Sequence, residues 1–90
     1  MYTIKPTTRF SKDLKCIERR GYKIDLLTAV IKKLAAGESL DAKYQDHSLK
    51  GNYEGCRECH ITPDWLLIYE IIGKELILYL TRTGTHSDLF

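Results

Sequence analysis

The segment WLLIYEIIGKELILYLTR, residues 65–82, decides the fold of this chain. It holds two apolar runs, Trp65–Ile72 and Glu75–Arg82, separated by Gly73 and Lys74. Runs of this length that are rich in β-branched and aromatic residues are typical of strands, and a two-residue connection containing glycine predicts a hairpin. The second run is apolar on both faces, which places it inside a sheet and not at a solvated edge.

Upstream of this hairpin, the chain predicts two helices and two further strands. Pro6 should end the first strand, and Thr7 or Thr8 should cap the first helix. Gly21 and Gly37 should end the two amphipathic helices. The predicted elements are, in order, strand Tyr2–Lys5, helix Arg9–Arg20, helix Ile24–Ala36, strand Gly55–Ile61, turn Thr62–Asp64, strand Trp65–Ile72 and strand Glu75–Arg82.

This order, β-α-α-β-β-β, predicts a single α+β domain over residues 1–90. An antiparallel-dominated sheet with a helical hairpin packed on one face would bury both amphipathic stripes. The opposite sheet face would stay partly open, and we expect a substrate to lie there. Residues 38–53 lose periodicity and predict a surface loop that carries His47 and Lys50, and the chain finishes in a polar tail after Arg82.

Charge is distributed unevenly along the chain. Residues 1–36 hold nine Lys or Arg and three acids, a balance of +6, whereas the remainder has five and nine, a balance of −4. A basic half of this kind suggests a polyanion such as RNA, or an acidic protein, as a partner. Alternatively, these charges form a solvent-exposed helix face that binds no partner. Charge alone does not decide between a binding surface and such a face.

The cysteine count and the N-terminal composition indicate a cytoplasmic protein. The chain has three cysteines. Because each disulfide uses two cysteines, an odd number argues against a secreted domain stabilised by disulfides. Its first residues lack the apolar segment of a secretory signal, and no window is apolar enough to span a bilayer.

The string Cys56-Arg57-Glu58-Cys59-His60 matches the C-x-x-C-H attachment motif of c-type haem. On a strand, however, residues 56 and 59 point to opposite faces, so the two thiols cannot act as a pair. Alternation puts Cys56, Glu58 and His60 on one face, where Glu58 and His60 are neighbours. A zinc site that uses Cys56 or Cys59 with His60 stays open as an alternative, beside the simpler interpretation of both thiols as small strand residues.

A more informative set comprises polar side chains in and around the last two hairpins. Taken singly, each has an ordinary explanation as a turn, surface or tail residue. Together they match the needs of phosphodiester cleavage without a metal: a base for the 2′-hydroxyl, an acid for the leaving 5′-oxygen and a cation for the charge on phosphorus. The set consists of His47, His60, Asp64, Arg82 and His86.

From about Phe10 onward the chain resembles the YafQ branch of the RelE/ParE-type bacterial toxins. This resemblance implies a RelE-like β-α-α-β-β-β fold and a ribosome-dependent mRNA interferase of a type II toxin–antitoxin pair. It also implies a cognate antitoxin, mRNA and the ribosome as partners, and no cofactor. The matching segments are Phe10–Lys15, Lys43–Gly51, His60–Tyr69 and Arg82–Phe90.

Carried over by position, the resemblance implies His47, His60, Asp64 and His86 as catalytic residues. We assign His86 as the general acid and His60, oriented or assisted by Asp64, as the general base, although these two roles could be exchanged. Arg82 and His47 would hold the scissile phosphate. The residues expected to contact the substrate are Arg82, Trp65, Phe90 and Lys50.

Two other functions remain open at this point. A toxin of the same fold could inhibit DNA gyrase without catalysis, as ParE relatives do, and a small metal-binding protein could use Cys56, Cys59 and His60. The gathering of acid, base and arginine favours cleavage over both. In that case the exposed basic stripe of the first helix, Lys12, Lys15 and Arg19, would contact ribosomal RNA, and an acidic antitoxin would cover the basic half.

Overall fold

The structure, a computed structural model, describes all 90 residues. Its elements are β1 (Thr3–Pro6), α1 (Thr8–Arg19), α2 (Ile24–Ala35), β2 (His47–Ser48), β3 (Arg57–Thr62), β4 (Trp65–Ile72), β5 (Ile77–Gly84) and α3 (His86–Leu89). Short 3-10 helices cover Ala42–Tyr44, Gly51–Tyr53 and Gly73–Glu75. The predicted α+β class and element order are confirmed, with two additional elements, β2 and α3. None of the helices has the length and apolar content required to cross a membrane.

The five strands form one sheet in the order β1-β5-β4-β3-β2. β1 pairs with β5 in parallel, and every other neighbouring pair is antiparallel. β5 therefore lies inside the sheet, as its apolar sequence predicts. β1 was predicted to end at Lys5, but it includes Pro6 as its last residue. An edge strand tolerates proline at this position, because the missing N–H removes no hydrogen bond from the sheet.

The ends of α1 follow the predicted chemistry. The Thr7 side-chain hydroxyl accepts a hydrogen bond from the backbone N–H of Phe10 at 3.1 Å, so Thr7 is the N-cap. At the other end, Gly21 has a φ of +82°, a left-handed conformation that costs glycine little because it has no Cβ.

The main core lies between the two long helices and one face of the sheet. Alternation along β4 sends Leu67 and Tyr69 to this face, where both are fully buried. The helices contribute their apolar stripes. The buried members of this core are Phe10, Ile17, Leu27, Val30, Leu34, Ala35, Cys59, Ile61, Trp65, Leu67, Tyr69, Leu78 and Leu80.

The opposite sheet face carries a smaller cluster of Cys56, Leu66, Ile68 and Leu89. α3 and the segment around Tyr53 cover part of this face and leave the rest of it open. Cys56 and Cys59 lie in different clusters, which confirms that the two thiols point to opposite sides. The cross-strand register brings the predicted polar residues to this second face: Glu58 lies opposite Ile68, His60 opposite Leu66, and Ile68 opposite Arg82.

Candidate active site

Three histidines from distant parts of the chain meet at one end of the second sheet face. His47 belongs to the short strand β2 and pairs with Glu58 of β3, two residues before His60. His86 opens α3, and its ring centroid lies 5.8 Å from that of His60. The sequence placed His47 on an irregular loop. The structure gives it a strand position instead, and the pairing with β3 is what brings its imidazole to Glu58.

Glu58 lies between two of these imidazoles. Its Oε1 is 3.5 Å from Nε2 of His47 and 3.8 Å from Nε2 of His60. The residue is only 3% exposed, and its Oε2 has no hydrogen-bond partner. A buried carboxylate oxygen without a partner is costly, so such groups are often functional. Sequence reasoning placed Glu58 beside His60 but did not include it among the catalytic or substrate-contact residues.

The other ring nitrogens of the same two histidines contact backbone carbonyls. His47 Nδ1 lies 2.7 Å from the carbonyl oxygen of Gln45, and His60 Nδ1 lies 3.3 Å from that of Pro63. These contacts favour a proton on Nδ1 and direct Nε2 of each ring toward the site. A cavity of about 600 Å³ adjoins His60, and Lys43 and Tyr44 are among its other lining residues.

Asp64 is paired differently from the prediction. Its Oδ1 lies 3.5 Å from Nδ1 of His86, whereas Nδ1 of His60 contacts the carbonyl oxygen of Pro63. The contact of Asp64 is therefore with His86 and not with His60, so the geometry does not support the predicted assistance of His60 by Asp64. The reason is that Asp64 occupies the exposed tip of the β3–β4 turn, which faces the start of α3.

Arg82 is engaged by another residue. Its Nε and Nη2 bind the carboxylate of Asp13 at 2.6 and 3.1 Å, and its Nη1 lies 3.4 Å from the hydroxyl of Tyr53. The hydrogen bond that Arg82 donates to the Asp13 carboxylate raises the pKa of the Arg82 guanidinium. The predicted contact of Arg82 with the scissile phosphate would have to compete with this two-pronged ion pair.

The remaining substrate-contact candidates divide by burial. Trp65 is 1% exposed on the helical side of the sheet, where its indole N–H donates to Thr83 Oγ1 at 2.9 Å. This burial argues against the predicted contact of Trp65 with RNA. Phe90 is 65% exposed and stacks edge-on against Tyr53, close to His86, and Lys50 is exposed. Phe90 is therefore accessible to a ligand at the site, whereas Lys50 is exposed but makes no contact with the histidines.

Comparison with known proteins identifies the family. The family described as bacterial toxin of type II toxin-antitoxin system, YafQ, matches residues 2–90. The chain belongs to the YafQ family. The mRNA interferase toxin YafQ of Escherichia coli K12 is 38% identical over 97% of this chain and 94% of that protein. The family resemblance inferred from the residues is thereby confirmed.

Solved structures of bacterial toxins share the whole fold. A metal-bound toxin from Helicobacter pylori superposes with a TM-score of 0.93 at 46% identity, covering 100% of both chains. The YafQ chain of the E. coli DinJ–YafQ complex superposes with a TM-score of 0.91 at 35% identity, covering 100% of this chain and 99% of that one. As a YafQ-family member, this chain is the toxin of a type II toxin–antitoxin system.

The histidine site of this chain also contains a set of metal-ligand atoms that the sequence did not predict. One ligand atom from each of Glu58, His60 and His86 lies within 4.8 Å of the other two. No cysteine belongs to this group, because Cys59 points to the helical side and Cys56 is buried in the small cluster. The alternative zinc site built on Cys56, Cys59 and His60 is therefore not assembled.

Proposed function

We propose that this YafQ-family toxin is an mRNA interferase that cuts mRNA on translating ribosomes by metal-free acid–base catalysis. The observation that carries the proposal is the convergence of His47, His60 and His86, with two carboxylates, on one accessible sheet face. Imidazoles exchange protons near neutral pH, which RNA cleavage by its own 2′-hydroxyl requires. The E. coli relative named an mRNA interferase supports the same activity.

His60 is the proposed general base. With Nδ1–H donating to the Pro63 carbonyl, its Nε2 is free to remove the proton from the ribose 2′-hydroxyl. Glu58 Oε1, at 3.8 Å, would stabilise the imidazolium that this transfer creates. The freed 2′-oxygen attacks phosphorus and forms a 2′,3′-cyclic phosphate.

His86 is the proposed general acid. Asp64 holds the ring through Nδ1, so Nε2 can give a proton to the 5′-oxygen as its bond to phosphorus breaks. The products are a cyclic phosphate on the upstream fragment and a 5′-hydroxyl on the downstream one. His47 is exposed beside Glu58 and would contact the phosphate oxygens.

The test is primer extension on mRNA from translating ribosomes incubated with purified toxin. His86→Ala should abolish the discrete cuts, whereas Ser87→Ala, an exposed change at the next residue of α3, should leave them unaltered. Undiminished cutting by His86→Ala would remove the general acid. The same assay on ribosome-free mRNA tests ribosome dependence. A gyrase inhibitor would produce no cuts within reading frames at all.

The proposed partners are the ribosome, mRNA and an antitoxin. E. coli YafQ is seen in a complex with DinJ, a toxin–antitoxin complex, and we infer an equivalent acidic protein for this chain. The exposed Lys12, Lys15 and Arg19 on α1 are the proposed contacts with ribosomal RNA. Action on translating ribosomes would take place in the cytoplasm.

A second property of the same site follows from its ligand atoms. Two imidazoles and a buried carboxylate with an unpartnered oxygen suit a first-row ion such as Zn²⁺ or Cu²⁺, and the similar H. pylori toxin is metal-bound. We infer that such an ion inhibits, because it would occupy the nitrogens that move protons. Titration calorimetry should show Zn²⁺ binding that Glu58→Gln weakens, and chelator should leave cleavage undiminished. Cleavage that needs added metal would overturn the metal-free mechanism.

A further inference from the structure

α3 carries the proposed general acid but is too short to be stable alone. It comprises only His86–Leu89, a single turn, and isolated helices of this length do not form in water. The position of the His86 ring therefore depends on what attaches α3 to the rest of the fold.

Two contacts attach the far end of α3. Leu89 is buried in the small cluster, and its carbonyl oxygen lies 3.4 Å from the hydroxyl of Tyr53. These contacts anchor the C-terminal end. At the other end, Asp64 contacts the His86 ring at 3.5 Å from an exposed turn, but this contact does not hold the backbone of the first residues.

Asp88 fixes the beginning of α3. Its carboxylate accepts a hydrogen bond from the backbone N–H of Thr85 at 2.9 Å, and the Thr85 hydroxyl accepts one from the N–H of Asp88 at 3.3 Å. This capping box encloses His86, which lies between the two residues.

Arg20, at the end of α1, binds Asp88 from outside the turn. Its Nη1 lies 2.7 Å from Asp88 Oδ2 and its Nη2 lies 3.1 Å from Oδ1, a two-pronged ion pair across 68 residues of sequence. The Arg20 guanidinium holds the pKa of the Asp88 carboxyl well below its usual range, so the pair stays charged at every pH at which histidines exchange protons.

We propose that Arg20 is a positioning residue for catalysis, which acts through Asp88 to hold the His86 ring at the scissile phosphate. This inference rests on the proposed role of His86. Arg20 itself touches no reacting atom. Its contribution is to restrict α3, because a small displacement of an acid from its target reduces the rate steeply.

The kinetic test compares Arg20→Ala with Arg9→Ala, which removes the same charge from the exposed N-terminal turn of α1. Arg20→Ala should lower kcat for mRNA cleavage by roughly ten- to a hundredfold with little change in KM, because the acid is misplaced while substrate binding is retained. Arg9→Ala should cleave normally. Arg20→Lys, which keeps the charge but not the two-pronged geometry, should lie between them.

Combining the change with Asp88→Asn distinguishes positioning from a general loss of charge. If the two residues act as a unit, the double variant should be no slower than the slower single one. Multiplicative effects, or an equal loss in Arg9→Ala, would overturn the proposal. So would an Arg20→Ala variant with unaltered kcat.

An NMR measurement separates this proposal from that of the catalytic mechanism. In Arg20→Ala, the ring signals of His86 should shift and the amides of α3 should exchange faster, while those of β4 and β5 stay protected. This measurement needs no cleavage. It therefore tests whether the Arg20–Asp88 ion pair positions His86 even if His86→Ala proves active and the assigned acid is wrong. Unaltered His86 signals in Arg20→Ala would refute the proposed positioning of His86 by Arg20.

Discussion

Glu58 occupies a position in which a charged side chain is costly. It is buried at 3% exposure and one of its oxygens lacks a partner, yet the other lies between two imidazoles. Such a residue lowers the stability of the fold, because its long contacts with the imidazoles only partly offset the free-energy cost of desolvating the carboxylate.

We therefore expect Glu58→Gln to separate stability from activity. Removing the buried charge should raise the free energy of unfolding by about 1 kcal/mol, measured by chemical denaturation. Cleavage should fall, because the imidazolium of His60 loses its carboxylate. Glu54→Gln, an exposed change on the preceding segment, should alter neither. A less stable Glu58→Gln variant would mean that the histidines stabilise the carboxylate by more than its burial costs.

Cys59 gives a pH-dependence of known sign. Burial raises the pKa of its thiol from 9.0 to about 12, so the unfolded chain loses this proton at lower pH than the folded one. Stability should therefore fall as pH rises above about 9, by at most about 1.4 kcal/mol per pH unit from this group. Denaturation between pH 8 and 10.5 should show a shallower decline in Cys59→Ala. An identical slope in both proteins would contradict the assignment.

Individual residues differ in how far the sequence predicts them. The three histidines were predictable because proton transfer near neutral pH restricts the choice of side chain. The partners of two arginines were not, because the ion pairs of Arg82 with Asp13 and of Arg20 with Asp88 join residues 69 and 68 positions apart. Nothing local marks such pairs, and Arg82 consequently received a direct role that its ion pair argues against.

The secondary-structure elements follow the same division between local and long-range causes. β4 was predicted with its observed limits because its apolar run lies between a proline turn and a glycine turn. β2 was missed because two residues carry no periodicity and are held only by pairing with β3. α3 was also missed, although its capping box, Thr85 with Asp88, is a local signal present in the sequence.

The junction between β5 and α3 depends on a glycine. Gly84 has a φ of +156°, and an added Cβ would lie 3.0 Å from Cβ and Oδ2 of Asp88. We expect Gly84→Ala to lower the free energy of unfolding by roughly 1–3 kcal/mol and to displace α3. Gly73→Ala is the matched control, because a Cβ there meets nothing within 4 Å. Equal stabilities of the two variants would show that the junction adapts without strain.

At the scale of the whole molecule, the sheet separates two tasks. One face binds the helices through a large apolar core, and the other carries the histidines over a small one. The basic half of the sequence contributes both long helices, whereas the acidic half contributes β2 to β5 and most of the site. α1 connects the basic half of the sequence to the acidic half. Asp13 binds β5 and Arg20 binds α3, while the exposed lysines of α1 face outward.

This arrangement predicts that ribosome association and chemistry can be separated. Changing Lys12, Lys15 and Arg19 to Glu should weaken association with ribosomes, and the residual binding should depend less steeply on salt, because fewer phosphate contacts release counterions. The matched control changes exposed Lys5, Lys23 and Lys32 to Glu, which alters net charge equally. Both should be measured by cosedimentation at several salt concentrations. Equal losses would attribute binding to total charge, and unaltered binding by the first variant would reduce the basic stripe of α1 to a solvated surface.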